Sequence, residues 1–141
     1  MGSTEYVIKK SLGGRGVNLE TLLLRQIHPN FIQAGRVTSQ AFRPSPKDEH
    51  LLSVDNGDQI SPDVAHQRFI SNPVCSSIGV MAVSCAECDT QNLPVIDDGV
   101  PYPEHCSIDF SKCEKREIER KAKHLSRQAQ VRGWLFQVMS Q

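Results

Sequence analysis

Between residues 112 and 132, Ile118, Ala122, Leu125 and Ala129 recur at helical spacing in a segment otherwise rich in Lys, Arg and Glu. That pattern requires one long amphipathic helix, and its single apolar stripe must be covered by another layer of structure. The rest of the chain offers short apolar runs punctuated by Gly, Pro, Asn and Asp, which read as strands and turns. Residues 19–27 read as a buried strand or a short helix, stopped at Pro29. Residues 30–34 read as one helical turn closed at Gly35. Residues 37–42 and 51–55 then read as short strands around a polar loop at 43–49, with a turn at Asn56-Gly57.

Ser61-Pro62-Asp63 opens a helix running to about residue 71 and expected to bury Val64, Ala65, Phe69 and Ile70. Residues 78–83 form a β-branched central strand, and the capping box Ser84…Glu87 starts a short helix to about residue 92. Residues 94–96 are a short extended piece, and 105–110 alternate as a strand. A second capping box, Ser111…Glu114, starts the long helix. Gly133 ends it, and 134–138 make a last strand. The expected fold is α+β, with a mixed sheet in a single domain over residues 19–141. Residues 1–18, with the Gly13-Gly14-Arg15-Gly16 run, read as a flexible N-terminal arm.

Composition bounds the function more than it specifies it. Lys+Arg 16 against Asp+Glu 16 gives zero formal charge over 141 residues, which removes the general electrostatic argument for nucleic-acid or membrane binding. The basic helix also lacks aromatic stacking partners. No apolar run reaches the roughly 18 residues of a membrane span. The N-terminus has no signal-peptide centre, and five cysteines are an odd number, so reduced thiols in a cytoplasm are expected.

Residues 25–58 hold the densest polar set. Arg25, His28, Arg36, Ser39, Gln40 and Arg43 lie between short apolar anchors, and Arg offers a planar fork of donors to a phosphate or carboxylate. The alternative is structural: Arg25 pairs with Asp48, Glu49 or Asp55, and His28 caps a turn. Asp97-Asp98, with Glu104-His105 nearby, could bind a hard cation or supply a general base, although adjacent acids before Gly are ordinary turn chemistry. Cys85 and Cys88 have the spacing that lets two thiolates meet one zinc, and His105, Cys106 or Cys113 could complete the set. Free cysteine is equally a small core residue. No strong catalytic motif stands in the chain, and the oligomeric state is open.

Arg25-x-x-His28-Pro29, Gly35, Ser39-x-Ala41-Phe42, Leu52-Ser53-Val54 and a later His105 resemble a group of small uncharacterised bacterial proteins; the resemblance spans most of residues 22–110 and implies no activity. An Arg or His on a first strand, a short helical segment ending in Gly and Ser-bearing strands are more distantly similar to the approach to the NAD site in ADP-ribosyltransferase-like folds. That likeness implies that Arg25 or His28 grips the nicotinamide ribose or pyrophosphate, with Ser39 near the second strand. The late strands carry His105 and Asp109 where such folds usually have Glu. Three functions are therefore expected to compete. The first is a cytoplasmic bacterial domain binding a partner protein or a phosphate-bearing small ligand through residues 25–58. The second is an NAD-using ADP-ribosyltransferase-like enzyme, a toxin or defence effector. The third is a zinc-stabilised binding module.

Overall fold

A computed structural model describes residues 17–139. The arm and its glycine run lie outside the described residues, apart from Val17, which is buried in the core, and Asn18, whose N–H donates to Thr21 Oγ1. The fold is α+β. Its strands are β1 (Leu22–Gln26), β2 (Ile32–Gln33), β3 (Arg36–Val37), β4 (Leu51–Asn56), β5 (Gly79–Ser84), β6 (Val95–Ile96), β7 (His105–Asp109) and β8 (Phe136–Gln137). Its helices are α1 (Pro62–Ile70), α2 (Cys85–Thr90) and α3 (Lys115–Arg132). Six strands form one sheet in the order β6-β7-β4-β1-β5-β8, antiparallel at each pairing, and β2-β3 form a separate small hairpin.

Strand alternation sends side chains to two layers. Leu23 of β1 and Ile27 just after it, Leu52 and Val54 of β4, and Cys106 and Ile108 of β7 face the main core, where Ile118, Ala122, Leu125 and Ala129 of α3 pack as their spacing requires. Leu24, Val80 and Ala82 face the opposite side, where Ala65 of α1 and Phe136 of β8 cover them. No helix among the described residues is long and apolar enough to cross a membrane.

The Ser84…Glu87 capping box forms in both directions. The second box sits one turn later than the sequence suggests. Glu114 and Glu117 form it and the helix starts at Lys115, because the Ser111 N–H is taken by the buried Asp109 carboxylate and holds 111–114 in a turn. Three further expectations are corrected. After the turn at Ala34 (φ 52) and Gly35 (φ 76), β3 ends at Val37 and Ser39–Phe42 is a 3-10 turn. Ala41 and Phe42 then both point into the core, as alternation would not allow. The expected turn at 30–34 is likewise a 3-10 turn at Pro29–Phe31 followed by β2. In α1, Val64, Phe69 and Ile70 are exposed, and Ala65 and His66 are the buried pair. His66 Nε2 reaches the Ser77 carbonyl at 3.0 Å, which makes burial of the ring tolerable.

Candidate functional site

The site is a fork in the sheet. β1 pairs with β5 along its whole length, from Leu22 opposite Ser84 to Gln26 opposite Val80. Its pairing with β4 covers only Leu23–Asn56 and Leu24–Asp55, extended at one end by a 2.8 Å bond from the Gly57 N–H to the Leu22 carbonyl. Continuing that register by two residues would set Gln26 opposite Ser53, and this rung is not made. The two halves of the sheet part there, and the Arg25 side chain enters the gap. Its Nε donates to the Ala41 carbonyl at 2.7 Å and its Nη1 to the Ser53 carbonyl at 3.0 Å. A side chain thus replaces a backbone rung.

None of the expected acids, Asp48, Glu49 or Asp55, pairs with Arg25, and among the described residues it has no carboxylate partner. Burial lowers its pKa to about 10, so it remains a cation at neutral pH, desolvated and without a counter-ion. It stands in the wall of a cleft of about 620 Å³ that also receives His28, Gln40, Asp55, Arg68 and His105.

The two histidines are held in opposite tautomers. His28 caps the 3-10 turn, its Nδ1 accepting from the Asn30 N–H at 2.9 Å, so the neutral ring carries its proton on Nε2 as a donor. His105 Nδ1 lies 2.6 Å from Asp98 Oδ1, a carboxylate oxygen that can only accept, so that nitrogen is the protonated one and Nε2 is left with a lone pair. The second Asp98 oxygen accepts from Ser107 Oγ at 2.7 Å, which fixes the carboxylate. An oriented Asp–His pair can take a proton from a bound water or hydroxyl.

The far wall is an ion network. Arg68 bridges Asp55 at 3.1 Å and Glu104 at 2.8 Å, and its guanidinium lies 3.9 Å from the centre of the Tyr102 ring. Desolvation raises the Asp55 pKa above the ordinary carboxylate value, and Arg68 is the largest opposing influence. Phe31, Phe69 and Tyr102 give the cleft flat apolar surface.

The remaining sequence candidates go elsewhere. Arg36 and Ser39 line a second concavity against α3, and Arg43 lines a smaller one that shares Arg25 and Gln40 with the cleft. The cysteines do not assemble a metal shell: among the described residues no three His, Cys, Asp or Glu side chains are grouped so as to hold an ion. Cys85, Cys88 and Cys106 are buried in the core, where desolvation pushes the Cys85 thiol up to about 12 and raises Cys88 and Cys106 well above the usual thiol range. Protonated thiols are poor zinc ligands. Cys113 instead receives the Lys121 ammonium at 3.5 Å.

No known relative decides the matter. Neither a family model, nor a curated protein, nor a solved structure matches the chain. The geometry alone carries the functional reading. It includes two side chains that the sequence reading passed over, Arg68 and Tyr102. An Arg in the last turn of a helix is ordinary dipole chemistry, so Arg68 gave no signal. Tyr102, an aromatic ring between two prolines in a polar loop, was the one available hint.

Proposed function

We propose that the chain binds a small phosphate-bearing ligand in the sheet fork, anchored by Arg25. The observation that carries this reading is a desolvated guanidinium with two carbonyl contacts and no counter-ion, set in the wall of a cleft large enough for a small molecule. A half-buried cation of this kind is stabilised by an anion more than a fully exposed one is. His28 Nε2–H supplies a second donor, and the aromatic walls suit a planar group on the same ligand. Arg68 offsets one of the two charges of Asp55 and Glu104, so the opposite wall repels an anion less than two free carboxylates would.

Titration calorimetry with NAD, whose phosphates are internal, tests the reading. Saturable binding is expected, abolished by Arg25→Gln and weakened by His28→Ala in variants that still unfold cooperatively. Wild-type affinity in Arg25→Gln would sink it. An enzymatic reading has one observation in its favour, the Asp98-oriented His105 in the same cleft. The ADP-ribosyltransferase-like form of that reading predicts nicotinamide release from NAD, lost in His105→Ala. Against it, Asp109, the only acid on the late strands, is buried and engaged with the Ser111 N–H. The zinc-stabilised module predicts unfolding by a chelator. An unchanged melting curve removes it.

A further inference from the structure

The second concavity, of about 440 Å³, lies between the β2-β3 hairpin and the exposed side of α3, and carries three cations: Arg36, Lys123 and Arg127. All three are exposed, and among the described residues none has a carboxylate partner, although Arg68 and Arg132 of the same protein are both paired. The sequence explains the one-sided charge. The acids of α3 end at Glu119, and the helix from Arg120 to Arg132 contains Arg120, Lys121, Lys123, Arg127 and Arg132 with no Asp or Glu. Of these, Lys121 is buried against Cys113 and Arg132 is held by Glu87; of the three that remain, Arg120 does not line the concavity, while Lys123 and Arg127, one helical turn apart, do. The tight turn at Ala34-Gly35 delivers Arg36 from across the gap.

The helix dipole favours cations only within the last turn, which neither Lys123 nor Arg127 occupies, and Arg36 comes from another element. Ser39, Ser126 and Gln130 also line the concavity, the Ser126 hydroxyl donating to the Thr38 carbonyl and the Gln130 amide to Ser126, and no acidic or aromatic side chain lines it. Donors and positive charge without a stacking surface suit phosphate groups rather than a base or a sugar.

We infer that Arg36, Lys123 and Arg127 form a second anion site, separate from the Arg25 cleft, that takes a compact oligophosphate group, free or terminal on a nucleotide. The claim does not depend on what the cleft binds. The test is amide NMR titration of the full chain with inorganic pyrophosphate at low and at raised ionic strength. Expected are saturable shifts around residues 36, 39, 123 and 127. They should weaken with salt, weaken several-fold in Arg127→Gln, vanish in Arg36→Gln/Arg127→Gln, and persist in Arg25→Gln. The three cations are exposed, so these changes spare the fold. A nucleoside diphosphate is expected to bind no more tightly than pyrophosphate, and a clear gain from the base would overturn the assignment to phosphate alone. Absence of saturable shifts at these residues, or shifts unchanged in the double variant, overturns the site. Binding of a single-stranded oligonucleotide through the same cations, without pyrophosphate binding, would replace it by a nucleic-acid backbone contact.

Discussion

Replacing Arg25 by Met sets two opposing quantities against each other. Methionine keeps the length of the side chain and removes its charge and donors. The loss is two charge-assisted hydrogen bonds, to the Ala41 and Ser53 carbonyls, at about 2 kcal/mol each. The gain is relief of a buried charge. Burial lowers the guanidinium pKa to about 10, and at about 1.4 kcal/mol per pK unit holding the cation in the fork costs roughly 3 kcal/mol. The difference is a net destabilisation of only about 1 kcal/mol, although Arg25 sits near the middle of the sheet. Urea unfolding of wild type and Arg25→Met at pH 7, in the absence of phosphate, measures it. A loss of 4 kcal/mol or more would show that the charge is not strained there and that Arg25 is a structural keystone, and the argument for an anion ligand would lose its driving force. Adding NAD should widen the gap between the two proteins, because ligand binding stabilises only the form that can bind.

Gly57→Ala should destabilise the protein by about 2 kcal/mol in the same assay, since the added Cβ would lie 2.7 Å from the Leu22 carbonyl oxygen and displace the bond that closes the seam. Glu87 is partly desolvated, yet its bonds to Arg132 and to the Ser84 N–H hold its pKa below the usual 4.5. Its stabilisation is complete above that value and is lost as pH falls through the depressed one, so Glu87→Gln should cost about 1 kcal/mol at pH 7 and progressively less in acid melts. Native alkylation followed by mass spectrometry should modify the half-buried Cys75 first. Cys85, Cys88 and Cys106 should react only after unfolding; rapid labelling of Cys88 would contradict its burial as a protonated thiol.

The elements that follow from local chemistry were legible in the sequence. The stripe on α3, the Ser84 capping box, the stop at Gly133 and the central strand at 79–84 all depend on residues within a turn or two of each other. Side-chain direction in the 39–42 segment was not legible, because Ala41 and Phe42 face the same core only through a 3-10 turn imposed by packing against α3. Burial on α1 failed for a related reason: its apolar residues Val64, Phe69 and Ile70 do not share the face carrying Ala65, and the neighbouring β8 leaves little surface to cover. At the site, Arg25, His28, Gln40 and His105 were recognisable as polar candidates, and the structure brings them to one cleft. Their partners were not. The Asp98–His105 bond crosses a seven-residue loop, and Arg25 meets carbonyls, which are invisible to residue-type reasoning.

The short seam between β1 and β4 has a mechanical consequence. The two sheet halves are joined by backbone bonds between Leu22 and Leu24 on one strand and Asp55 and Gly57 on the other. Across the opening they are joined by the Arg25 side chain, so the aperture at Gln26 and Ser53 is set by one side chain and the seam behind it. Under the proposed function, the seam shapes the fork from Leu22, Leu23, Asn56 and Gly57, residues outside the cleft wall. Substitutions at the seam should alter which molecules fit while leaving every binding side chain in place.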